Sequence, residues 1–160
     1  MTTISQYLSN LKQLRATILD EQGKAVRKLE TQIIRKNIDN IEDHIGADGQ
    51  ELKNSNPMFS GYYKKSTEEI SKTTFSPPLL PKIAGQPYNW IWTGVFIGNF
   101  HLDINAGQDK IKIYSTGTGT GEKADFFKGY KNLYGLTKED QIWLNNEITK
   151  HLQQHARKYI

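Results

Sequence analysis

The chain has 160 residues, 36% hydrophobic and 24% charged, with a net charge of +4; this suffices for one domain with a core, yet the apolar share is low enough that part of the chain is expected to be extended or packed on a partner. With 0 cysteines it excludes a disulfide framework, a thiolate zinc site and a cysteine nucleophile. The segments 1–45, 46–89, 90–136 and 137–160 each carry one more basic than acidic residue, which argues against a basic tail or nucleic-acid arm.

The first residues lack the basic, apolar pattern of a signal peptide, and no apolar run approaches the roughly 18 residues of a membrane span. The sequence therefore reads as a soluble chain inside a cell, or as a component of a particle assembled there. Ile4, Tyr7, Leu8, Leu11, Leu14 and Ile18 form one stripe of helical period, and Val26, Leu29, Ile33, Ile34, Ile38, Ile41 and Ile45 form a second. Residues 1–45 are thus expected to be two amphipathic helices or one long bent one. Gly23 is the expected hinge, and Gly46 the expected left-handed stop.

Residues 46–89 hold all 5 prolines and show no period. A short helix from Ser66 is expected, because Ser66 and Glu69 have capping-box spacing. The remainder reads as a long extended arm. Its apolar side chains (Met58, Phe59, Tyr62, Tyr63, Phe75, Leu79, Leu80, Tyr88) are richer than disorder allows. A segment that is sticky and yet has no fold of its own is expected to order against neighbours. Trp90 and Trp92 then make an aromatic entry to the next element, as core or interface anchors.

From Phe100 to Ser115, alternating residues predict a β-hairpin whose inward set is Phe100, Leu102, Ile104, Ile111 and Ile113, turning at residues 105–109. Thr93-Gly94 is expected to be a structural turn feeding it, with Trp92 and Phe96 buried alongside. Residues 115–121, of sequence STGTGTG, read as a flexible loop. A last helix is expected over 137–159, with Thr137 as N-cap and Asp140 three residues on. The fold class is α+β: N-terminal amphipathic helices, a long extended arm, a small antiparallel sheet built on the hairpin, and a C-terminal helix, all in a single domain.

Motifs that could carry chemistry each lack a necessary part. Gly119-Thr120-Gly121-Glu122-Lys123-Ala124 matches a dinucleotide fingerprint in form, but no second parallel strand follows. His151 and His155 share one side of a helix, as in zinc hydrolases, without the intervening glutamate that would act as base. Glu42, Asp43 and His44 are consecutive and diverge on a helix. No catalytic, cofactor-binding or metal-binding residue is therefore assigned, and no cofactor is expected.

In order and spacing the chain resembles the neck and tail-completion (head–tail joining) proteins of tailed bacteriophages, of the virion-morphogenesis type. The pieces are a turn at Ile45-Gly46-Ala47-Asp48-Gly49-Gln50-Glu51-Leu52, the stretch Tyr62-Tyr63-Lys64-Lys65-Ser66-Thr67, the signature Trp90-Ile91-Trp92-Thr93-Gly94-Val95-Phe96, and Tyr134-Gly135-Leu136-Thr137 opening the last helix. Val95 stands where an acid often follows Thr-Gly. The resemblance implies a non-enzymatic, ring-forming homo-oligomer of the virion, assembled in the host cytoplasm. Its implied partners are itself and other neck, connector or tail proteins, with no membrane, and with DNA only passing through the channel. Two other classes remain as alternatives: a small nucleic-acid-binding module contacting the genome, and a metal-dependent hydrolase built on the histidine pair.

Overall fold

A computed structural model describes residues 4–75, 77–105 and 110–159. It is α+β, with six helices and one two-stranded antiparallel sheet among those residues. The chain opens with α1 (Ile4–Lys28) and α2 (Glu30–Glu42). The break between them falls at Leu29 and not at Gly23. The amide of Leu29 reaches back three residues to the carbonyl of Val26, while Gly23 lies buried inside α1. Helix α2 buries Ile33, Asn37, Ile38 and Ile41, and Ile33 and Ile41 have no exposed surface at all.

His44, with φ +60, ends α2 in place of Gly46. Ile45 N–H donates to Asn40 O at 2.7 Å and His44 N–H to Ile41 O at 3.1 Å, the paired bonds of a Schellman cap. A second tie makes this left-handed histidine tolerable. Its Nε2 lies 2.7 Å from the carbonyl oxygen of Tyr88, and since a carbonyl only accepts, Nε2 carries the proton.

Strands β1 (Phe100–Asn105) and β2 (Lys110–Ser115) pair Leu102 with Ile113 and Ile104 with Ile111. The expected inward set therefore shares one face, and that face meets α1 and α2. Turn residues 106–109 lie outside the described residues. The glycine-rich stretch after β2 is less free than its composition implies, because Gly117 is buried against the backbone of Val95 and Phe96. Two short helices were not expected: α4 (Val95–Gly98) and α5 (Glu122–Lys128). Gly94 does form a turn, with φ +77, and it serves as the N-cap of α4. Phe96 is buried beside it, whereas Trp92 is only half-buried.

Helix α6 (Lys138–Ala156) starts as expected at Thr137, whose hydroxyl accepts from Asp140 N–H at 3.3 Å. The Asp140 carboxylate accepts from Lys36 Nζ at 2.7 Å, Asn40 Nδ2 at 2.7 Å and the Thr137 hydroxyl at 2.9 Å. It thereby bolts the start of α6 to α2. Burial pushes this carboxyl up, but Lys36, Asn40 and Thr137 together outweigh it and hold the group below its ordinary value. A carboxyl depressed in the folded state stabilises above its unfolded pKa, and that contribution disappears as pH falls through the lower folded value. Asp140→Ala is expected to lower stability by about 1–3 kcal/mol at neutral pH. Its urea midpoint should converge on the wild-type value in acid. A constant gap from pH 7 down to roughly pH 3 would show that the carboxylate charge plays no part.

The 46–89 arm is extended but doubled back on itself around α3 (Lys65–Thr73). Tyr63 N–H donates to Gln86 O, Gly85 N–H to Tyr63 O, and Tyr88 N–H to Gly61 O, each at 2.9 Å. Ser66 does not cap α3, whose N-cap is Lys64 with no side-chain bond. The carboxylate of Glu68 instead accepts from Ala84 N–H across the lobe at 2.8 Å.

Candidate interface groove

The base of the arm is fastened to the body by an aromatic cluster centred on Trp90. This side chain is 7% exposed. Its ring centroid lies 4.9 Å from Tyr130, 5.9 Å from Phe126, 6.1 Å from His44 and 6.2 Å from Phe96, with Tyr88 and Phe127 slightly farther away. Phe96 stacks on Phe127 at 4.3 Å. Trp90 has φ +57, an unusual conformation for a bulky residue. Its indole N–H finds no acceptor among the described residues. The rings gathered around it hold the backbone in this shape.

Beside this cluster, between the arm base and α5, lies an open groove of about 600 Å³ whose walls include Met58, Phe59, Tyr63, Trp92 and Phe126. Phe59 meets Phe126 edge-on at 4.9 Å. Asn54 Nδ2 donates to Phe126 O at 2.9 Å, which holds the start of the arm against α5. The rim carries Lys64, Lys123 and Glu122.

Lys82 forms part of the same wall and is only 2% exposed. Its ammonium donates to Asn89 Oδ1 and to Ile91 O, and it sits 5.4 Å from the ring of Tyr63 and 5.7 Å from that of Trp92. Burial lowers its pKa to about 8. Because the unfolded chain holds this proton more tightly, stability rises with pH from about 8 towards the ordinary lysine value, and at neutral pH the buried charge opposes folding. The two neutral acceptors and two ring faces offset that penalty and join the two limbs of the arm. Asn89 is the shared node. Its Oδ1 also accepts from the Tyr63 hydroxyl at 2.9 Å, and that hydroxyl accepts from Asn89 N–H at 3.0 Å.

The structure divides the ten side chains named from the sequence as interface candidates. Trp90 belongs to the core of its own chain and meets the groove only as part of its lining. Tyr88 is half-buried against that core. Met58, Phe59, Tyr63 and Trp92 line the groove. Tyr62, Ile70, Phe75, Leu79, Leu80 and Ile83 are exposed along the arm, and Leu79 N–H donates to Trp92 O at 2.7 Å, which ties its limb down beside the groove. Lys82 and Phe126 were missed. The signal for Lys82 was one charge in the otherwise apolar run Pro77-Pro78-Leu79-Leu80-Pro81-Lys82-Ile83. Phe126 was hidden by the glycine-rich stretch that precedes α5.

The histidine pair lies elsewhere, at the joint between α1 and α6. His151 Nε2 is 3.2 Å and His155 Nδ1 3.6 Å from Glu21 Oε2, and His155 Nε2 is 3.0 Å from the Thr17 hydroxyl. Lys24, by hydrogen bonding, is the main cause that holds the Glu21 carboxyl down at about 2. Among the described residues no group of three or more acidic or histidine side chains is arranged to hold a metal ion. No helix there is long and apolar enough to cross a membrane.

No family model matches the chain, and no match was found among curated proteins or solved structures. Fold and site together describe a small α+β chain with a doubled-back arm, an aromatic groove at the arm's base and exposed apolar side chains along the arm.

Proposed function

We propose that the chain is a ring-forming structural component of a tailed-phage virion, placed at the neck where head and tail join. The observation that supports this most is the set of exposed apolar side chains on the arm. Phe75, Leu79, Leu80, Ile70 and Ile83 stand in solvent on a lobe whose base is firmly packed. Apolar groups presented on an ordered lobe gain nothing for an isolated chain and mark an interaction surface. Exposed apolar side chains on the arm and an open groove at its base suit heterologous contacts, which close into rings when the rotation between copies closes. The ordered sequence pieces from Ile45 to Thr137 supply the virion context.

The test is electron microscopy of the purified chain, with antibody labelling of particles at the head–tail junction. Closed rings and neck labelling are the expected results. The double variant Met58→Asp/Phe75→Asp should keep its fold, since both side chains are exposed, and should lose the rings. A wild-type chain that stays monomeric at high concentration would refute the reading.

A further inference from the structure

Helices α1 and α6 run antiparallel, since Thr17 meets His155 and Glu21 meets His151. Helix α6 ends at Ala156, so the first turns of α1, before about residue 14, reach past its end, and residues 4–13 are exposed except Asn10, which is half-buried. This overhang is apolar: Ile4 is 81% exposed, Leu8 53%, Tyr7 47% and Leu11 37%, and Ile18 continues the face. The positions Ile4, Tyr7, Leu11, Leu14 and Ile18 follow the alternating three–four spacing of a coiled-coil seam.

We infer that this overhang pairs, antiparallel and about a two-fold axis near Leu11, with the same turns of a second copy of the chain. Three observations select that occupant. The five exposed side chains Ile4, Tyr7, Leu8, Leu11 and Ile18 present on the order of 500 Å² of apolar surface, within the range of a monomer's largest patch. Two such faces would bury about 1,000 Å² together, the threshold a specific interface has to clear. The face is also complementary to itself. Centring on Leu11 sets Ile4 against Ile18, Leu8 against Leu14 and Tyr7 against Arg15, where the guanidinium meets an aromatic ring. Residues 4–19 carry two charges, Lys12 and Arg15, both positive, and this register places neither opposite another cation. Finally, the antiparallel arrangement sends the two bodies to opposite ends of the helix pair, so they do not collide.

This inference concerns a surface other than the groove and does not rest on the virion reading. The chain has 0 cysteines, so a single Leu11→Cys substitution gives a clean probe. Under mild oxidation it is expected to form disulfide-linked dimers in high yield, while Ala16→Cys, on the opposite side of the helix, does not. In sedimentation, Leu8→Arg/Leu11→Arg is expected to weaken self-association by more than about a hundredfold with an unchanged melting temperature. Equal crosslinking at both positions, a monomeric wild type, or a double variant that associates like wild type would each overturn the inference. Rings that persist in the double variant would remove this pairing and leave the neck reading standing. Leu11-linked dimers without rings would do the reverse.

Discussion

Replacing Gly117 with alanine is expected to destabilise the protein by about 3 kcal/mol or more, at the upper end of what overpacking costs. A Cβ at this position would lie 2.1 Å from the carbonyl oxygen of Val95, 2.7 Å from its carbon and 2.8 Å from the Cα of Phe96. All three are backbone atoms, so no rotamer change can relieve the clash, and α4 would have to move bodily. That shift would break the 2.7 Å bond from the Ser115 hydroxyl to Phe96 O and pull Phe96 off Phe127. Gly98→Ala is the control, because a Cβ there meets nothing within 4 Å. Gly98 is helical, so this change should be neutral or slightly stabilising. The measurement is thermal or urea unfolding of both variants. Equal stabilities would show that residue 117 does not pack tightly against α4.

Trp90→Ala is expected to lose about 3–5 kcal/mol, the usual range for deleting a large buried aromatic. For a chain of this size that lowers the melting temperature by about 10 °C or more. Trp90 touches rings from the arm base, α4, α5 and the residues following α5, so its removal uncouples four segments at once. Trp90→Phe retains ring packing and removes the indole N–H that lacks an acceptor, so its loss should stay below about 1.5 kcal/mol. The arm should respond most. Limited proteolysis between residues 60 and 85 is expected to speed up in Trp90→Ala and not in Trp90→Phe. Equal proteolysis of the two variants would mean that the arm base is held by the Lys82–Asn89–Tyr63 network alone.

Three parts of this protein could be read from the sequence alone: the helical stripes of α1, α2 and α6, the Thr137 cap, and the register of the hairpin. Each depends on neighbours within about four residues, or on strict alternation across one turn, so periodicity and capping chemistry carry the information. The interface candidates were legible as a composition: too many aromatic and aliphatic side chains in a stretch without period. Their division into core and surface was not. Trp90 and Phe75 are both apolar residues in irregular chain, yet one is 7% exposed and the other fully exposed, because only the tertiary fold brings Phe126, Phe127 and Tyr130 around Trp90. The same holds for the α2 stop. A local rule favours Gly46, but the distant Tyr88 carbonyl helps hold His44 in the left-handed conformation instead. Glycine composition likewise describes residues 115–121 as free chain, and what confines Gly117 is the backbone of α4, some twenty residues earlier. Local periodicity and caps set the helices and strands. The closing of the arm, the groove at its base and the burial of Lys82 depend on contacts between distant segments, and those exist only once the chain has folded.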